Sequence, residues 1–152
     1  MNEPCQNIYK FGRIYSKKHL ERNDAAPLIG VHCRTLRNYE CCNPRPANEV
    51  VAIMAEKYEF PAIVWMHCYE LFPEYMPNIK VNDLKGAAMD MQDTTDDFKD
   101  IQRVMVKVTK DGVIAEDEID DKEEIKKRAM RVAEAALTLY FSLDAPEAHH
   151  GS

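Results

Sequence analysis

The stretch Leu20–Glu40, LERNDAAPLIGVHCRTLRNYE, constrains the fold more than any other part of the chain. Ala25 and Ala26 put small side chains where two helices must cross closely. Gly30 permits the backbone bend between those helices, because it alone takes a left-handed conformation without steric cost. Val31 packs just after the turn, and His32 falls where the cap of the next helix belongs. Leu36 and Tyr39 then share one face of a helix running from about Cys33 to Cys41. Cys33, Arg34, Arg37 and Asn38 are left on the outward face.

The flanking sequence reads as further short helices. Tyr9 and Ile14 mark a first apolar stripe that runs to about Leu20. Asn43-Pro44-Arg45-Pro46 breaks the third helix, since proline cannot continue one. Val50, Val51, Met54 and Ala55 give a fourth stripe. Pro61 opens a fifth helix carrying Ile63, Val64, Trp65, Cys68 and Leu71.

With these residues in place, the segment 8–72 resembles the lambda-repressor/Cro-like (Xre) helix-turn-helix family. The elements that match are Ala25-Ala26, Ile29-Gly30-Val31, Thr35-Leu36 and Tyr39-Glu40. The resemblance implies a five-helix domain within residues 1–75 whose third helix enters the DNA major groove. It places His32, Cys33, Arg34, Thr35, Arg37 and Asn38 toward base edges. Arginine bonds guanine, and asparagine adenine, through two hydrogen bonds each. Arg22, Lys17, Lys18 and Arg45, with Arg13, fall where phosphate contacts are expected. Three departures stand out. Pro27 lies inside the second helix, Cys33 replaces a better base reader, and Cys41-Cys42-Asn43 replaces a glycine turn, with Asn43 expected to take the left-handed conformation.

Phe72-Pro73-Glu74-Tyr75-Met76-Pro77 reads as a linker, and the pattern changes after it. Leu84, Met91, Phe98 and Met105 recur every seven residues, interleaved with Ala87, Thr94, Ile101 and Val108. Ile125, Val132 and Leu139 repeat the pattern, interleaved with Ala129, Ala136 and Leu143. Two long amphipathic helices joined at Lys110-Asp111-Gly112 predict an antiparallel helical hairpin over 81–145. The fold class expected is therefore all-α. Residues 1–80 carry ten Lys/Arg against nine Asp/Glu, and residues 81–152 carry ten against seventeen. The net charge of −6 thus belongs to the second half. The hairpin's seams hold more apolar surface than one hairpin buries, so it is expected to pair chains into a homodimer. Double-stranded DNA and a second copy are the expected partners, and the resemblance implies a sequence-specific DNA-binding transcriptional regulator, a repressor of bacterial or phage type. The alternative is a protein-interaction module that keeps the scaffold without reading DNA.

Other classes find little support. No apolar run approaches the ~20 residues of a membrane helix, and Met1-Asn2-Glu3-Pro4 lacks the features of a secretory signal. A cytoplasmic location follows as the expectation. The five cysteines, Cys5, Cys33, Cys41, Cys42 and Cys68, are odd in number and lack Cys-x-x-Cys spacing, so free thiols are expected rather than disulfides or a zinc site. Lys110–Glu118 resembles half a calcium loop, but Lys107 and Thr109 stand where carboxylates are needed. Asp96-Asp97 and Asp120-Asp121 read as solvated carboxylates. No nucleophile elbow, phosphate loop or His-Glu-x-x-His occurs, so neither enzyme activity nor a cofactor is expected.

Overall fold

The computed structural model describes residues 7–81, 84–111 and 119–144, with side chains at all of these except 107–111 and 119–121. Their regular secondary structure is helical, and no strand occurs among them. They fall into two compact units, divided between Met76 and Pro77.

The first unit contains α1 (Ile8–Ile14), α2 (Arg22–Leu28), α3 (Cys33–Glu40), α4 (Asn48–Lys57) and α5 (Ala62–Leu71). Asn7 caps α1: its side-chain oxygen accepts from the backbone N–H of Tyr9 at 3.0 Å and Lys10 at 2.9 Å. This satisfies two donors that a helix start otherwise leaves open. Helix α1 packs on α3, α4 and α5. Its approach to α5 is close, since a Cβ on Gly12 would stand 2.9 Å from Ile63 Cδ1. Tyr9, Leu36, Val51, Met54, Tyr58 and Ile63 form the centre of the core. Each contributes about 1.5–3 kcal/mol by leaving water.

Helix α2 lies against α3 through the buried Ala25 and Ala26. Pro27 lies inside it, near its end. The helix ends one residue later, so proline costs a single hydrogen bond near the terminus. Gly30 then takes φ +73°, and Val31 N–H reaches back to Ala26 C=O at 3.0 Å. That is the glycine-terminated helix end the sequence predicts.

The exit of α3 differs from expectation. Cys42, not Asn43, adopts the left-handed conformation, at φ +56°. Asn43 N–H instead bonds Asn38 C=O at 3.0 Å. Closing this bond requires the residue before Asn43 to reverse the chain, which fixes the conformation on Cys42.

The second unit contains α6 (Leu84–Asp93), α7 (Thr95–Asp111) and α8 (Ile119–Ser142). Residues expected in the linker and just beyond it belong here. Ile79 is buried, Asn78 N–H donates to Glu134 Oε1 at 3.0 Å, and Lys80 N–H donates to Thr138 Oγ1 at 3.2 Å. Both α6 and α7 pack on α8. Partners of successive α7 residues recede along α8, from Arg131 and Arg128 to Arg128 alone, so α7 and α8 run antiparallel.

The first arm is not one helix. It breaks at Thr94, whose carbonyl accepts from Phe98 N–H at 3.0 Å. The Thr94 hydroxyl donates back to Met91 C=O at 2.8 Å, and Asp96 and Asp97 fall in the first turn of α7, where carboxylates suit the positive end of a helix. Of the two seven-residue lines, Ala87, Thr94 and Ile101 stay inward on both sides of the break, and the other does not. Leu84, Phe98 and Met105 are exposed instead of facing α8, and so are Ala129, Ala136 and Leu143 of α8. The inward line of α8 is Ile125, Arg128, Val132, Ala135, Thr138 and Ser142. Asp97, expected in solvent, is 13% exposed and pairs with Arg131 at 2.8 Å and Arg128 at 3.3 Å. The joint at Lys110-Asp111-Gly112, most of the half calcium loop, and Cys5 lie wholly or partly outside the described residues.

Candidate nucleic-acid interface

The outward face of α3 is polar and open. His32, Arg34, Arg37 and Asn38 are exposed, while Leu36 and Glu40 are buried on the opposite side. His32 occupies the cap position of α3, with extended backbone angles and no side-chain bond to the helix. Among the described residues, Arg34 and Arg37 make no ion pair, so both guanidiniums stand ready for a ligand. Thr35 is half-buried. Cys33 is half-buried too, and its thiol donates to Asn23 Oδ1 of α2 at 3.0 Å.

The expected phosphate residues divide. Lys17 and Lys18 are exposed in the turn after α1, and Lys18 pairs with Glu59 at 2.8 Å. Arg45 faces Glu70 at 3.2 Å. Arg22 is 35% exposed and bonds Glu40 through Nε at 2.9 Å and Nη2 at 2.8 Å. That bond raises the pKa of its guanidinium further. Arg13 is a correction. It is buried, with its side chain 6% exposed, and cannot reach a phosphate. Its Nε and Nη2 are spent on Glu40, and its Nη1 donates to Leu20 C=O at 2.7 Å.

Glu40 is the residue that sequence reasoning passed over. Its carboxylate, 2% exposed, joins Arg13 of α1 and Arg22 of α2 to the last turn of α3. One buried anion between two cations sets the angle at which α3 is presented. Asn7 supplies a second tie, since its Nδ2 donates to Tyr39 C=O and to Cys42 Sγ, both at 3.0 Å. The only local signal was the Tyr39-Glu40 dipeptide, and its meaning depends on arginines 18 and 27 residues upstream.

A third network braces the domain away from α3. Asn48 Oδ1 can only accept, so His67 carries its proton on Nε2, 2.9 Å away. Its Nδ1 accepts from the Tyr9 hydroxyl at 2.8 Å. Burial, and then the positive charge of Arg45, lower the pKa of His67. Burial raises that of Tyr9.

No group of three or more His, Cys, Asp or Glu among the described residues is placed to hold a metal ion. No helix among them is long and apolar enough to cross a membrane. No protein-family model, curated protein or solved structure matches the chain.

Proposed function

We propose that this chain is a sequence-specific DNA-binding transcriptional regulator, of the bacterial or phage repressor type, acting in the cytoplasm as a dimer. On this reading the first unit is a lambda-repressor/Cro-like five-helix domain, and the second unit pairs the chains. The observation that carries the proposal is the face of α3. Arg34, Arg37 and Asn38 are exposed and unspent, while Leu36 and Glu40 hold the other side of the helix to the domain. A helix with its side chains is about 10–12 Å across, which suits the width of the major groove. The remaining cations of the unit are largely neutralised internally, so phosphate attraction is modest. Two reading heads on one dimer supply the affinity that one head lacks, and they would engage half-sites about one helical turn apart.

Selection of bound sequences from a random DNA pool tests the proposal. A palindromic consensus is the expected result. Alanine at both Arg34 and Arg37 should weaken binding by about 1–3 kcal/mol per lost base pairing and relax specificity. Undiminished affinity with an unchanged salt slope in that variant would overturn it.

One observation favours a protein-interaction module instead. Cys33 is bonded to Asn23, and Arg22 to Glu40, so two expected contacts are already engaged. Failure to enrich any DNA sequence would select that reading.

A further inference from the structure

The second unit is packed in two different ways at its two ends. Among the described residues, those buried in it are Ile79, Ala87, Ala135, Thr138 and Ser142. All five lie just before α6, on α6 or on the second half of α8. Two hydrogen bonds, from Asn78 N–H to Glu134 and from Lys80 N–H to Thr138, tie the same end. Along α7, by contrast, no residue from Thr95 to Val106 is buried. Ile101 and Val104 are half-buried, as are Ile125 and Val132 of α8. The firm ties between these two helices are ionic. Arg128 reaches Asp97 at 3.3 Å and Asp100 at 2.5 Å, and Arg131 reaches Asp97 at 2.8 Å.

We propose that α7 is an arm released by salt. It leaves α8 by turning about Thr94, the single residue between α6 and α7, while α6 stays packed on the second half of α8. This device is independent of whether α3 reads DNA. Segments with few buried apolar contacts are the ones that open locally, at free energies below that of global unfolding. The apolar seam under α7 is thin, so the ion pairs decide whether the arm is seated. Each pair between partly exposed groups shifts such an equilibrium by about 1.4- to 5-fold, and Arg128 and Arg131 supply several. Salt shortens the reach of these charges from about 10 Å at 0.1 M to about 3 Å at 1 M. Apolar burial has no such screening, so the other end of the unit stays closed.

The test is amide hydrogen exchange of the full chain, corrected for intrinsic rates, in about 0.1 M and about 1 M sodium chloride. Amides of residues 101–106 should exchange about 10-fold faster or more than those of residues 137–141. High salt should quicken the first group about 5-fold and leave the second within about 2-fold. Arg128→Gln in low salt should quicken the first group by a similar factor, after which salt adds little. Asp97→Asn removes the carboxylate that both arginines share and should act in the same direction. Lys99→Gln should not, because its pair with Asp96, at 3.0 Å, lies within α7. Equal protection of the two groups would overturn the proposal. So would a salt response that they share, since the unit then opens as one body. Arg128→Gln and Asp97→Asn chains that exchange as the parent does, or that both lose protection at residues 137–141, would also overturn it, as would a Lys99→Gln chain that matches Arg128→Gln.

Discussion

Replacing Glu40 by glutamine tests the reasoning about how α3 is held. The substitution keeps the shape and removes the charge. Arg13 then remains buried, with its side chain 6% exposed and without a carboxylate for its Nε and Nη2. Breaking a buried pair from one side costs about 3–5 kcal/mol, because an uncompensated charge is left behind. Arg22 is partly exposed and returns to water, so its share is only about 0–1 kcal/mol. A small domain has a total stability of roughly 5–15 kcal/mol, and the loss consumes much of it. The assay is urea unfolding followed by the fluorescence of Trp65, the only tryptophan, which lies on α5 of the same unit. With a slope of about 1 kcal/mol per molar, the midpoint should fall by roughly 3 M. Replacing Arg13 by Met together with Glu40 by Leu removes both buried charges and should recover most of the loss. A shift under about 1 M at unchanged slope would refute the reasoning. So would a double variant less stable than Glu40→Gln.

Two further outcomes follow from particular residues. His67 has a depressed pKa in the folded chain, first through burial and then through Arg45, so the unfolded chain takes up its proton first. Stability from this group is whole above about pH 6.5 and is lost as pH falls below it. Unfolding free energies at descending pH should show that loss in the parent, and His67→Gln should lack it; equal slopes would refute the assignment. Gly30→Ala adds a methyl group that meets nothing within 4 Å, at φ +73°. Its cost is conformational alone, about 1–2 kcal/mol by urea midpoint, and a neutral result would remove the left-handed turn.

The legible parts of the sequence were those that depend on near neighbours. Ala25-Ala26, Gly30 and the Leu36–Tyr39 spacing act within a few residues, and α2, the turn and α3 stand where those residues predict them. Pro27 was legible as an anomaly but not in its effect, which depended on α2 ending at Leu28. Of the two seven-residue lines after Leu84, only Ala87, Thr94 and Ile101 face inward, and a repeat carries no sign of which of its lines packs. Asp96 and Asp97 did mark the start of α7, as carboxylates in a first turn. Arg13, expected at a phosphate, and Glu40, passed over, escaped for a different reason. Both are charged, and only the crossing of α1 and α3 buries them against each other.

Asn7 does two jobs with the two ends of one amide. Its oxygen starts α1, and its nitrogen holds the exit of α3 through Tyr39 and Cys42. Aspartate is as good a helix start as asparagine, but it offers only oxygens, and no donor to the Tyr39 carbonyl. The substitution Asn7→Asp exchanges this single nitrogen for oxygen. It would leave every helix of the domain intact while releasing the tail of the one that faces outward. In this chain, secondary structure and the seating of α3 are therefore separable at a single atom.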